Sequence, residues 1–123
     1  MTEMNLTLES NRQAPRISRQ RLSEIRSELE PRYDDLALVV SELVSNSVLH
    51  SDDGFVSVSL KKASDRVRIE VRDPGPGFDR DSPRGDGIGL EIVSRVADAW
   101  GVSNEGDCTV WAEVVLPGAP GSR

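Results

Sequence analysis

From the N-terminus, apolar and polar residues alternate over Met4–Glu9, with Met4, Leu6 and Leu8 on one side, which predicts a short edge strand. Ala14-Pro15 breaks that pattern. Beyond it the period lengthens. Ile17, Leu22, Ile25 and Leu29 recur at helical intervals among charged residues, so an amphipathic helix is expected from Ile17 to Leu29, stopping near Pro31. A second helix is expected from about Asp34 to His50, followed by a turn at Ser51-Asp52-Asp53-Gly54. Phe55–Leu60 and Val67–Val71 alternate with period two, and Ala63–Arg66 between them predicts a hairpin. Two turn-rich segments follow, Asp73–Gly77 and Pro83–Gly89. A third helix is expected over Leu90–Trp100, with Gly101 as a left-handed C-cap, and then closing strands at Val102–Asn104 and Thr109–Leu116. Pro117–Arg123 reads as a disordered tail. These elements predict an α+β fold: a two-layer α/β sandwich with helices on one face of a mixed, mostly antiparallel sheet, in a single domain over residues 1–116.

Composition narrows the function classes. A chain of 123 residues with 37% apolar and 29% charged residues fits one globular domain. Its net charge of −6 argues against a nucleic-acid surface, which needs clustered cations to displace counterions. Arg12, Arg16, Arg19, Arg21 and Arg26 are scattered rather than aligned, as on a solvated helix face. One cysteine, Cys108, excludes an internal disulfide and a cysteine-based zinc site. No apolar run is long enough to cross a bilayer, and the N-terminus is too polar for a signal peptide, so a cytoplasmic location without membrane contact is expected.

Within the second helix, Leu36, Val39, Val40, Leu43 and Val44 form the apolar arc, while Ser41 and Ser45 face the other way. Glu42 and Asn46, four residues apart, share a ridge at the border of that arc. An unpaired carboxylate there is costly to desolvate, so it should face a wet cleft or a charged partner. One reading is a helix edge where both side chains reach water. The other assigns them complementary chemistry. An amide oxygen is a hard, neutral ligand for a Mg²⁺ whose charge phosphates already balance. A glutamate one turn away can take a proton from an attacking hydroxyl.

Asp73 ends a predicted strand and enters Asp73-Pro74-Gly75-Pro76-Gly77, where glycines allow close approach of a flat ligand and the carboxylate can accept from an exocyclic amine. A plain surface turn uses the same residues. Gly85-Asp86-Gly87-Ile88-Gly89 opens onto the third helix, and glycine amides with a helix N-terminus make an anion site. The run matches neither the dinucleotide G-x-G-x-x-G pattern nor the Walker-type phosphate loop. Arg80 and Arg84 are the nearby basic candidates, and a flexible loop without a ligand is the alternative.

Taken in order, Glu42-x-x-x-Asn46-x-x-x-His50, Asp73-x-Gly75-x-Gly77 and Gly85-x-Gly87-x-Gly89-Leu90 resemble the N-box, G1 and G2 motifs of the GHKL ATPases, the superfamily of gyrase, Hsp90, sensor histidine kinases and MutL. The resemblance covers about Leu22 to Leu116, and Glu42–His50 with Thr109-Val110-Trp111-Ala112 is most similar to the small anti-sigma-factor serine kinases. It implies the Bergerat fold, ATP and Mg²⁺ as ligands, Asn46 as the metal ligand and Glu42 as the base. It further implies that Asp73 binds the adenine amine, Gly77 lines the base, and Gly75, Gly85, Gly87, Ile88, Gly89 and Leu90 bind the nucleotide from the glycine turns, with Gly87 and Gly89 as the phosphate lid. Thr109 would touch the adenine side through water. His50 would sit at the nucleotide rim, or else simply near the C-terminal dipole of its helix. Leu49 stands where histidine kinases usually carry Lys or Arg, the Phe78–Arg84 segment is short for a lid, and no dimerisation helix with a phospho-acceptor histidine is present; these features count against a histidine kinase. The implied function is an anti-sigma factor with protein-serine kinase activity, acting as a homodimer on a sigma factor and a STAS-type anti-anti-sigma protein. A non-catalytic nucleotide-binding module that sequesters a partner stays open beside it.

Overall fold

The computed structural model describes residues 2–50, 54–73, 88–103 and 108–116. In chain order the elements are β1 (Thr2–Glu9), α1 (Ala14–Leu22), a 3-10 turn (Ser23–Ile25), α2 (Arg26–Leu29), α3 (Tyr33–His50), β2 (Phe55–Lys62), β3 (Arg66–Asp73), α4 (Ile88–Val96), β4 (Ala99–Ser103) and β5 (Cys108–Val115). The strands form one sheet in the order β1-β2-β3-β5-β4. All four pairings among the described residues are antiparallel, where a mixed, mostly antiparallel sheet was expected. β3 and β4 both flank β5 and therefore run in the same direction, with α4 as the crossover between them.

Period-two patterning sorts each strand into a helix-facing and an open side. Met4 and Leu6 of β1, Val56, Val58 and Leu60 of β2, Val67, Ile69 and Val71 of β3, and Val110, Ala112 and Val114 of β5 are buried beneath the helices. The α3 residues Leu36, Val39, Val40, Leu43 and Val44 complete the core, as their helical spacing requires. α3 packs against both α1 and α4 as well as the sheet. That double flank explains Ser41, which spacing alone turns outward: it is buried, and its hydroxyl donates to the Leu38 carbonyl at 3.2 Å.

Three element boundaries differ from the sequence expectation. Pro15 does not delay the first helix; it occupies the first turn of α1, where its missing N–H is not needed, so the helix begins at Ala14. The expected continuous helix to Leu29 is interrupted by the 3-10 turn. The third helix ends at Val96, and Trp100 and Gly101 belong to β4 rather than to a helix and its cap. Gly101 has no left-handed backbone; a Cβ there would meet the Trp111 ring at 2.8 Å from Cζ2 and 2.9 Å from Cε2. Its lack of a side chain makes room for an indole that lies across the neighbouring strand. Helix periodicity over Leu90–Trp100 cannot reveal that contact, because it is made between strands. Among the described residues Gly54 has positive φ (85°), in the turn that enters β2, and its carbonyl accepts from Ser10 N–H at 2.9 Å. The expected turn residues 51–53, the two glycine turns over 74–87, Asn104 and the tail 117–123 lie outside the described residues.

The open face of the sheet is held by charge. Arg68 donates to Glu70 at 2.7 Å and to Glu113 at 2.8 Å, Arg66 donates to Glu113 at 3.0 Å, and the Arg68 guanidinium lies 4.3 Å from the Trp111 ring centroid. The hydrogen bond from Arg68, with a second from Arg66, holds the Glu113 carboxyl below the usual carboxylate value against the opposing effect of burial.

Candidate functional site

The site is built at one end of the helix layer. Asn46 is 5% exposed and Glu42, one turn earlier, is half-buried, so their ridge borders the core as the 100° geometry predicts. Leu49, on the outer side of that ridge, is 76% exposed. His50 is the last residue of α3, and its side chain lies outside the described residues.

Asp73 comes to the same end by strand parity. In β3 the buried positions are Val67, Ile69, Val71 and Asp73, so the carboxylate ends a row of apolar residues on the helix-facing side, and it is only 7% exposed. Four residues separate His50 from Phe55, a short span that keeps the end of α3 beside the start of β2. The start of β2 lies next to the end of β3, since Ser57 pairs with Arg72, and the end of β3 lies next to the start of β5, since Asp73 pairs with Cys108. Asn46, Asp73 and Cys108 therefore gather at one edge of the two layers.

Parity also corrects one expected residue. Thr109 pairs with Arg72 and faces the open side of the sheet, away from Asp73. The β5 residue on the helix-facing side at that level is Cys108, which is buried. A one-residue step along a strand reverses the face, and only the β3–β5 register decides which residue is presented.

The fourth part of the site is the start of α4. Arg32 ties down the opposite, C-terminal end of that helix, a role that sequence reasoning missed. The guanidinium donates to Asp35 at 2.8 Å, to Asp98 at 3.3 Å, and to the carbonyls of Val115 at 2.9 Å and Val96 at 3.1 Å. Partial burial opposes its charge, but Asp35 and Asp98 more than compensate and raise its pKa. The clamp ties the C-terminus of α4 to the residue just before α3, so the two packed helices run antiparallel and the N-terminus of α4 points toward the Asn46 end. Nine residues rise about 13.5 Å. The same rise from Tyr33 reaches about Glu42, so the start of α4 comes up to the beginning of the Glu42–Asn46 ridge, with Asn46 one further turn along α3. First-turn N–H groups lack intrahelical acceptors and suit an anion. Ile88 and Gly89 are helical residues of that turn, while Leu90, 6% exposed, spends its side chain on the core and has only its backbone to offer a ligand. Gly75, Gly77, Arg80, Arg84, Gly85 and Gly87 lie outside the described residues. The one sequence hint of Arg32 is a cation between a proline and a helix start.

A buried amide, a half-buried acid and a buried carboxylate at a strand end, with a helix N-terminus on the neighbouring helix, are polar groups of the kinds a ligand site uses. Residues 32–120 match the family described as histidine kinase-, DNA gyrase B-, and HSP90-like ATPase, and the chain belongs to that family. Membership in an ATPase family implies that the chain binds ATP. Among individual proteins, it is similar to the serine-protein kinase RsbW of Bacillus subtilis (strain 168), at 30% identity in a match that covers 76% of this chain and 73% of the relative. Its fold is also that of a solved structure of the RsbU and RsbW domains of Rv1364c from Mycobacterium tuberculosis, with a TM-score of 0.72 at 22% identity. That match covers 93% of this chain and 32% of the other, so the chain spans about a third of that protein's resolved length. Among the described residues no helix is long and apolar enough to cross a membrane.

Proposed function

We propose that the chain is an ATP-dependent anti-sigma factor with protein-serine kinase activity. It would hold a sigma factor off RNA polymerase and phosphorylate a serine of a STAS-type anti-anti-sigma partner, as a cytoplasmic homodimer. What supports this reading is the Glu42–Asn46 pair at the border of the α3 apolar arc and the buried Asp73 at the end of β3, in a chain of this ATPase family. Similarity to a serine-protein kinase supports the choice of acceptor.

In this reading Asp73 accepts from the adenine amine. Asn46 is the protein ligand of Mg²⁺, which when bound neutralises charge on the phosphate oxygens. The chain's share of the reaction is positioning and one proton transfer. As the acceptor serine oxygen takes the γ-phosphoryl and ADP leaves, Glu42 receives the hydroxyl proton.

The test is incubation with Mg²⁺ and γ-labelled ATP plus a candidate serine-bearing partner, using wild type and Glu42→Ala. Label on the partner serine with wild type, lost in the variant while ATP still binds, is the expected result. Binding of ATP without any transfer by wild type overturns the kinase assignment in favour of a regulatory nucleotide-binding module.

A further inference from the structure

Two neighbouring rows of helix-facing side chains end in opposite charges. The β3 row ends at Asp73, and the β2 row of Val56, Val58 and Leu60 ends at Lys62. The strands are antiparallel and Lys62 pairs with Val67, six residues before Asp73, so the two charges stand about 20 Å apart at opposite edges of the sheet. On the helix side of its rung, Lys62 has the fully buried Val67 and Val114 for company, and it is itself half-buried. Its stem therefore continues the apolar row while the ammonium reaches the rim. There Thr2, Lys62, Ala63 and Ser64 line a cavity of about 270 Å³. Ala63 N–H donates to the Arg66 carbonyl at 2.8 Å, which closes the hairpin and holds Ser64 at the cavity. The Thr2 hydroxyl donates to Glu28, so its proton is already used. Lys61, on the open face, reaches Glu3 at 3.8 Å, whereas Lys62 has no ion-pair partner among the described residues.

We propose that this cavity binds a small oxyanion, held by the Lys62 ammonium with the Ser64 hydroxyl as a second donor. An ammonium has three donors and no acceptor, so its complement is a charged oxygen. Partial burial strengthens such a pair over one in open water. Glu28, tied to the Thr2 wall, repels added negative charge, so the site suits a single phosphoryl or carboxylate group rather than a polyphosphate. The cavity lies at the edge remote from Asp73 and does not depend on the nucleotide reading.

The test follows the backbone amides of Ala63 and Ser64 by NMR while inorganic phosphate or acetate is added at constant ionic strength. Their signals should shift and saturate with a Kd of about 1–10 mM for at least one anion, and the tighter anion names the group as phosphoryl or carboxylate. Lys62→Gln should weaken that binding at least about tenfold, the scale of one charge-assisted hydrogen bond. The chain's other lysine is the control: Lys61→Gln removes the same charge from the opposite face and should change affinity less than about twofold. Shifts that never saturate overturn the proposal, as do equal losses in the two lysine variants or unchanged binding in Lys62→Gln. Should Lys62→Gln fail to fold, Ser64→Ala in the exposed turn decides: binding about two- to fivefold weaker supports the site, and unchanged affinity overturns it. Shifts confined to Asn46 and the start of α4 place the anion at the nucleotide site, which overturns this proposal and leaves the nucleotide reading intact.

Discussion

Replacing Asp73 by Asn tests the base-binding end of the site with almost no change of shape. The side chain is 7% exposed and ends the buried row of β3, so a hydrogen bond made to it is shielded from water. Hydrogen bonds to a charged group contribute about 1.5–3 kcal/mol, a factor of roughly 10 to 150 in Kd. An amide keeps one acceptor oxygen, so the loss should fall in the lower part of that range, about 10- to 30-fold for ATP. The amide also brings a donor that suits the guanine carbonyl, so preference for ATP over GTP should shrink by more than ATP affinity alone suggests. Calorimetric titration of both nucleotides with Mg²⁺ measures the two effects. Asp73 also interacts with its protein surroundings, so nucleotide-free melting of the variant must accompany the titrations. A variant that melts like wild type and binds ATP with unchanged affinity and unchanged preference refutes the assignment of Asp73 to the base.

Three further outcomes concern the frame that holds the site. Gly101→Ala drives a methyl to within 2.8 Å of the Trp111 ring, which the Arg68 stack holds in place, so it should cost about 1–3 kcal/mol and lower Tm by roughly 4–12 °C; an unchanged scanning-calorimetry Tm argues against the contact. Arg32→Ala removes the clamp from two carbonyls and two carboxylates, and should cost about 2 kcal/mol in urea unfolding and weaken ATP binding through the displaced start of α4; full stability with normal binding shows that packing alone orients the helix. Because the Glu113 carboxyl titrates below its unfolded value, its contribution is present above the unfolded pKa and lost as pH falls through the folded one. Glu113→Gln should therefore lower the unfolding free energy from urea titration at pH 7 by about 0.5–1 kcal/mol for such half-exposed pairs, with the difference closing as the pH falls through the lowered folded pKa; a gap that persists in strong acid means the effect is not ionic.

Much of this protein was legible in its sequence. The apolar arc of α3 and the alternation in β1, β2, β3 and β5 follow from burial of one face at periods of 3.6 and two, and they fixed the fold class and the ridge that carries Glu42 and Asn46. The ordered motifs located Asp73 and the start of α4 for the same reason: each is a local pattern of residue types. What depended on pairing between distant segments was not legible. The β3–β5 register turned Thr109 outward and Cys108 inward, and a cross-strand indole converted an expected helix cap at Gly101 into part of β4. Arg32 joins residues 64 to 83 positions away, so no window of sequence displays its role in aiming α4. Periodicity fixes which way each segment faces; only the packed structure decides which segments meet, because the partner of each buried group lies elsewhere in the chain.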